Sequence, residues 1–167
     1  NCVMTTSNTK VSPVIDLQRC SAFAVQNRLN QPSASDVNYV ADTANVGTSS
    51  AASYLTKPVV LENLSTAIDV RLTSNIRSTS SVEVYFRTTS SEEARNINDL
   101  SWIPFNTTGT SDTTVTPAED NETFKEYKYS VSGLNEFTAF QIKIVMKGTN
   151  SAYAPVIKDM RGIALAV

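Results

Sequence analysis

Histidine is absent from this chain, and other residue types that carry chemistry are scarce. The 167 residues include no His, two Cys and five Gly. Without His the chain lacks the usual general base, the side chain that titrates near neutral pH and the commonest metal ligand. Carboxylate pairs, a Ser–Lys arrangement or a thiolate with an unusual base are the catalytic options left. The sequence therefore predicts that the protein is not an enzyme and carries no catalytic residue and no cofactor.

The two cysteines, Cys2 and Cys20, are too few for a disulfide framework. No His and no Cys-x-x-Cys pair completes a metal ligand set around them, so we expect no metal site. Cys is among the most buried residue types, and we expect two buried thiols here. A disulfide between two neighbouring strands is the alternative.

Charge of one sign and long apolar runs are also lacking. The 14 basic and 16 acidic residues give a net charge of −2, whereas phosphate binding needs clustered Lys and Arg. The longest apolar run, 163–167, is far too short to span a bilayer. We therefore expect neither a nucleic-acid nor a membrane partner. Residues 1–167 have the length of a single domain, and the apolar end suggests a module of a longer chain.

Alternation of apolar and polar side chains is the strongest pattern that the sequence does contain. Such a period of two predicts a strand with one buried and one wet face, and it favours antiparallel sheets that face a core on one side only. The clear examples are 67–73, 82–87, 126–131 and 140–147. Weaker strand candidates are 2–6, 11–17, 21–27, 54–61, 101–105 and 155–167.

Breaks in this pattern complete the predicted fold. Two polar stretches, 28–53 and 106–122, read as long loops. Ser90 and Glu93 have the spacing of a capping box, which favours one short helix at 90–95. A bulge near Arg161 and Gly162 would let the last strand change face. We predict an all-β protein, an antiparallel two-sheet β-sandwich with two long loops and at most one short helix.

Possible binding residues are few. The acidic cluster at 119–122 lacks the spacing of a calcium loop, so a solvated loop is expected there. Aromatic side chains could form an interaction surface, or bind sugar by stacking; Tyr39, Tyr54, Trp102 and Tyr153 are the candidates. The apolar neighbours of Trp102 favour the alternative that it packs as core. Ala164 and Ala166 are small enough to let a neighbouring chain lie close, which adds them to the predicted interaction surface.

Two segments carry a family likeness: YLTKPVVLENLSTAIDVRLTSNIRSTSSVEVYFR at 54–87 and FKEYKYSVSGLNEFTAFQIKIVMKGTNSAYAPVIKDMRGIALA at 124–166. With VSPVIDLQR at 11–19 and NYVADTA at 38–44, they resemble a β-rich module of large virion structural proteins of contractile-tailed phages, the T-even-like and cyanophage types. The resemblance implies a tail or baseplate component that is made in the cytoplasm of the host bacterium and held in the virion.

The resemblance implies that the protein assembles with other proteins in the virion. Other virion or tail proteins are expected as neighbours, in a homo- or hetero-oligomer, and no catalytic residue carries over. The alternative reading is a glycan-binding or host-attachment β-sandwich module, in which exposed aromatic rings and the loop at 106–122 would recognise sugar.

Overall fold

The computed structural model describes residues 34–50 and 52–166, and the predicted strands at 2–6, 11–17 and 21–27 lie outside them, as do both cysteines. The described residues form eight strands. They are β1 Ala52–Leu55, β2 Val59–Ser65, β3 Ala67–Asn75, β4 Ser80–Thr89, β5 Ile103–Pro104, β6 Lys125–Val131, β7 Phe137–Gly148 and β8 Val156–Leu165. Two single turns of 3-10 helix, Ile97–Asp99 and Ser151–Tyr153, stand between strands.

The strands form two antiparallel sheets, which confirms the predicted β-sandwich. Sheet A has the order β1–β7–β4–β5, and β2 also pairs with β7, so that β1 and β2 follow each other along one edge of β7. Sheet B has the order β6–β3–β8. All four clear alternations lie in these sheets, in β3, β4, β6 and β7.

The core lies between the sheets and is built mainly from the apolar side chains that alternate along these four strands, which we call their apolar phase; the side chains between them form the polar phase. Phe105, which follows β5, joins the two sides: its ring centroid lies 4.9 Å from that of Phe86 in β4 and 6.2 Å from that of Tyr129 in β6. The buried side chains of the core are Ile68, Val70, Leu72, Ile76, Val82, Val84, Phe86, Phe105, Tyr127, Tyr129, Phe137, Phe140, Ile142 and Ile144.

The predicted helix at 90–95 is wrong, because that segment forms a turn. The Glu93 carboxylate does not cap a helix but binds Arg95, through its side chain at 2.9 Å and its backbone N–H at 3.1 Å. The 3-10 turn lies further along, at Ile97–Asp99, where the Asn96 side chain accepts a hydrogen bond from the Asn98 N–H. The Asn96 side chain thus caps this turn by satisfying one of its unpaired backbone N–H groups.

The predicted bulge near Arg161 and Gly162 is misplaced. Both residues pair regularly with β3, and the register shifts instead at Lys158, between the partners of Thr73 and Ser74. Ile163 and Leu165 are half exposed. Met160 and Ala164 pack against the core instead, so the strand needs no change of face at Gly162.

Candidate functional site

The outer face of sheet A is buried, which contradicts the prediction that each sheet has one wet face. Arg87, Gln141 and Lys143 belong to the polar phase of β4 and β7, yet they are only 3%, 5% and 2% exposed. Val145, on the same face, is fully buried with Tyr85 and Trp102 in a second, smaller apolar cluster. The structure therefore has a buried surface on both sides of sheet A.

Arg87 ties the centre of this face to the segment before β5. Its guanidinium donates to the Gln141 Oε1 atom at 2.8 Å and to the carbonyls of Asn98 and Leu100 at 3.0 Å. The guanidinium carbon also lies 4.1 Å from the centroid of the Trp102 ring, a stacking geometry that Arg favours. The buried cation thus has both acceptors and an aromatic face, which is how a buried charge is tolerated.

The rest of the face is covered by residues 34–50, which we call the strap. The strap carbonyl of Asp42 accepts a hydrogen bond from the Lys143 ammonium at 2.8 Å. The Asp42 carboxylate lies 3.0 Å from the Lys147 ammonium, which is also 2.7 Å from the Glu83 carboxylate. The backbone N–H of Trp102 donates to the Thr43 carbonyl at 2.9 Å. A charged network therefore holds the strap on the sheet.

The pKa values in this network follow from burial and pairing. Burial lowers the pKa of Lys143, and the Asp42 charge offsets this only in part. For Asp42, burial raises the pKa, but hydrogen bonds from Thr48, Lys147 and Ser50 and the Lys147 charge outweigh it, so that the net pKa is lowered. Asp42 and Lys147 therefore form an ion pair near neutral pH.

A second surface lies where the two sheets end on the same side of the sandwich. Among the described residues, β8 in sheet B and β1 with β2 in sheet A have no strand beyond them. An apolar groove of about 600 Å³ opens between these two edges. It is lined by Tyr54, Ile144 and Met146 from sheet A and by the run from Pro155 to Met160.

Apolar side chains are exposed along both edges. Val60 is 79% exposed and Tyr54 53%. Ile163 and Leu165 on β8 are 50% and 43% exposed. Free strand edges carry unpaired backbone N–H and C=O groups, and natural proteins blunt them with charge, Pro or a bulge. Both edges carry such an interruption: Lys57 and Pro58 separate β1 from β2, and the bulge in β8 falls at Lys158.

The predicted interaction residues do not form one surface. Tyr54 lines the groove, and Tyr39 lies half-buried in the strap. Trp102 is buried beneath the strap, which agrees with the alternative that it packs as a core residue. The half-buried Tyr153 ring lies 4.8 Å from the Arg77 guanidinium carbon.

The two alanines lie at the end of β8. Ala164 is partly buried and packs against the core of this chain, and Ala166 is exposed.

Sequence reasoning missed the residues of the buried outer face: Asp42, Arg87, Lys143 and Lys147. The sequence places Arg87 among the polar positions of one strand, and Lys143 and Lys147 among those of another. Only the strand register places Lys143 opposite Tyr85 and Lys147 opposite Ser81. Nothing in the composition of the strap shows that Asp42 would reach them.

The described residues show neither a metal cluster nor a membrane helix. Within 34–50 and 52–166, no three Cys, Asp or Glu side chains are arranged to hold a metal ion. In the acidic loop, the Asp120 carboxylate instead accepts hydrogen bonds from the backbone N–H groups of Glu122 and Thr123. No helix in this part of the chain is long and apolar enough to cross a membrane.

Comparison with known proteins adds one distant likeness. No family model and no curated protein matches the chain. Among solved structures, it is similar to the crystal structure of the infectious bursal disease virus VP2 subviral particle, with a TM-score of 0.38 and 11% identity over 66% of this chain. The present chain spans 26% of the length of that one. This likeness is too distant to transfer a function.

Proposed function

We propose that the chain is a structural module of a virus particle, a tail or baseplate component of a contractile-tailed phage, that acts through protein–protein contacts and catalyses no reaction. The observation that carries the proposal is the apolar groove flanked by two strand edges. These features give one side of the sandwich the chemistry of a protein contact surface rather than of a reaction site.

The groove side combines two sources of binding free energy. A partner that covers Tyr54, Val60 and Ile163 would remove exposed apolar area from water, at about 25 cal/mol per Å². Within the described residues no strand pairs with the outer edge of β8, so a partner strand could also pair with backbone groups there. A stable interface buries about 1,200–2,000 Å² in total, which the groove, both edges and their rims together could supply.

The phage assignment is supported by the family resemblance of the sequence. The two longest segments that carry it, 54–87 and 124–166, contain half of β1, the whole of β2 and β3, most of β4 and the whole of β6 to β8. The resemblance therefore falls on the sandwich itself, including Tyr54 and the parts of β7 and β8 that line the groove.

Particle assembly with substituted chains tests the proposal. Tyr54→Lys places a charge at the mouth of the groove, and we expect it to lower incorporation into purified virions at least tenfold without changing the melting temperature. Val46→Lys is the matched control, because Val46 is 72% exposed on the strap and does not line the groove, and it should assemble as the unsubstituted chain does. Quantitative mass spectrometry of purified particles measures both.

Two results would contradict the proposal. One is absence of the chain from purified particles, or equal incorporation of both variants. The other is reproducible binding to one sugar on a glycan array that Tyr54→Lys abolishes, which would favour the attachment module. Trp102 is buried, so of the predicted aromatic candidates Tyr54 has the ring best placed to stack on a sugar.

A further inference from the structure

The contacts shown between the strap and the sandwich are hydrogen bonds and an ion pair. Of its residues only Asp42 and Ser50 are buried, and neither is apolar. Its larger apolar side chains face water: Val37 is 96% exposed and Val46 72%. A segment that buries so little apolar surface has low local stability, because local opening exposes little that water disfavours. The strap can therefore separate from the sandwich while the core stays folded.

Beneath the strap lies a site with the chemistry of a carboxylate receptor. The ammonium groups of Lys143 and Lys147 both point at Asp42, one at its carbonyl (2.8 Å) and one at its carboxylate (3.0 Å). The Lys143 ammonium also lies 5.6 Å from the centroid of Trp102 and 5.8 Å from that of Tyr85. Glu83 is the carboxylate that stays with the sheet when the strap leaves, and it binds Lys147.

We propose that the strap is a detachable latch, in which Asp42 serves as an internal carboxylate ligand, and that the opened site accepts the carboxylate of an acidic polypeptide segment. Opening removes one negative charge from a pair of lysines and uncovers the Trp102 ring. An incoming Asp or Glu side chain would restore the ion pair with Lys147. The inference rests on the outer face of sheet A and is independent of the groove and of the virion role.

Trp102 is the only tryptophan of the chain, so its fluorescence reports on the latch. We compare acrylamide quenching in the unsubstituted protein and in the Asp42→Ala variant. Loss of the Lys147 partner should open the strap and raise the quenching constant several-fold. The matched control is Asp36→Ala on the same strap, since the contact shown for its exposed carboxylate is local, with the Asn38 N–H. That variant should be quenched as weakly as the unsubstituted protein.

Chemical rescue tests the carboxylate site itself. Acetate added to Asp42→Ala should return the quenching constant toward the unsubstituted value, and a Glu-rich peptide should do so at lower concentration. Acetamide and the corresponding Gln-rich peptide should have no effect. Lys147→Met removes the receptor instead of the ligand, so it should also open the strap but give no response to acetate.

The far-ultraviolet circular dichroism of each variant shows that the sandwich is folded. Should Asp42→Ala fail this check, Asp42→Asn, which keeps the shape and loses the charge, takes its place. Unchanged quenching in a folded Asp42 variant would overturn the latch. An open strap that responds equally to acetate and acetamide would overturn the carboxylate site.

Discussion

The outer faces of the two sheets look alike in sequence and differ in the structure. On sheet B the polar phase is partly exposed: the Arg71 and Lys128 side chains are 40% and 42% exposed and pair with Asp69 at 3.3 and 3.1 Å. On sheet A the same phase contributes Arg87 and Lys143, which are buried. The strands of both sheets alternate apolar and polar side chains with a period of two, and both outer faces carry Lys and Arg.

This difference shows what alternation can and cannot specify. A period of two assigns each side chain to one face of its sheet. Whether that face meets water depends on what lies over it. The cover on sheet A comes from the strap and from residues 96–102, neither of which has an apolar period. Long Lys and Arg side chains therefore fit either environment, provided that a buried head group finds partners.

A lysine substituted on the outer face of each sheet should produce the largest difference in the free energy of unfolding. Val145→Lys puts a charge at a fully buried position, opposite Glu83, whose carboxylate already pairs with Lys147. It should lower the free energy of unfolding by about 3 kcal/mol or more. Ile163→Lys, on the half-exposed face of sheet B, should leave the stability nearly unchanged. Urea denaturation of both variants measures the difference. Equal losses would contradict the burial of the outer face of sheet A.

Truncating one arginine on each outer face should give a smaller difference in stability, again with the larger loss on sheet A. Arg87→Ala removes hydrogen bonds to Gln141 and to the carbonyls of Asn98 and Leu100. It should cost about 2 kcal/mol, because the buried Gln141 side-chain oxygen loses its donor. Arg71→Ala removes exposed ion pairs, which contribute little, and its midpoint in urea should shift far less. A larger effect at Arg71 would reverse our reading of the two faces.

Acidification should loosen the cover of sheet A. The net pKa of Asp42 lies below its ordinary value of 3.8. A carboxyl with a lowered folded-state pKa contributes stability that is present above that ordinary value and is lost as the pH falls through the folded value. Among the described residues, the charged or titratable groups shown near Asp42 include Lys143, Lys147, Glu83 and Tyr85.

The measurement is Trp102 emission as a function of pH. In the unsubstituted protein the emission should shift to the red as the pH falls below about 4. Asp42→Asn has no carboxyl to protonate, so the part of the shift that comes from the strap should be missing. An identical acid transition in both proteins would assign the shift to other carboxyl groups.

Much of the sandwich could be predicted because apolar and polar side chains alternate regularly along its central strands. The four clear alternations became β3, β4, β6 and β7, and Phe140, Ile142 and Ile144 entered the core as their phase required. The last strand was harder, because Ile163 and Leu165 are apolar yet face outward. Apolar residues at an exposed strand edge give the same sequence pattern as a buried face. The bulge was therefore predicted near Gly162, whereas it lies at Lys158.

The candidate sites could not be predicted, since each depends on contacts between distant segments. Asp42 lies about a hundred positions before Lys143, and their hydrogen bond exists only in the fold. The groove joins Tyr54 to β8 in the same way. Of the predicted surface residues, Tyr54 alone lines this groove, and Trp102 reports on the buried face instead.

Amine labelling of Lys143 and Lys128 tests the central contrast most directly, because both lysines occupy the polar phase of their strands. The native protein would be labelled briefly with an amine-reactive reagent, and each site quantified by peptide mass spectrometry. Our account predicts rapid modification of Lys128 and modification of Lys143 only after the strap opens or the protein unfolds. Equal labelling rates in the native protein would contradict it.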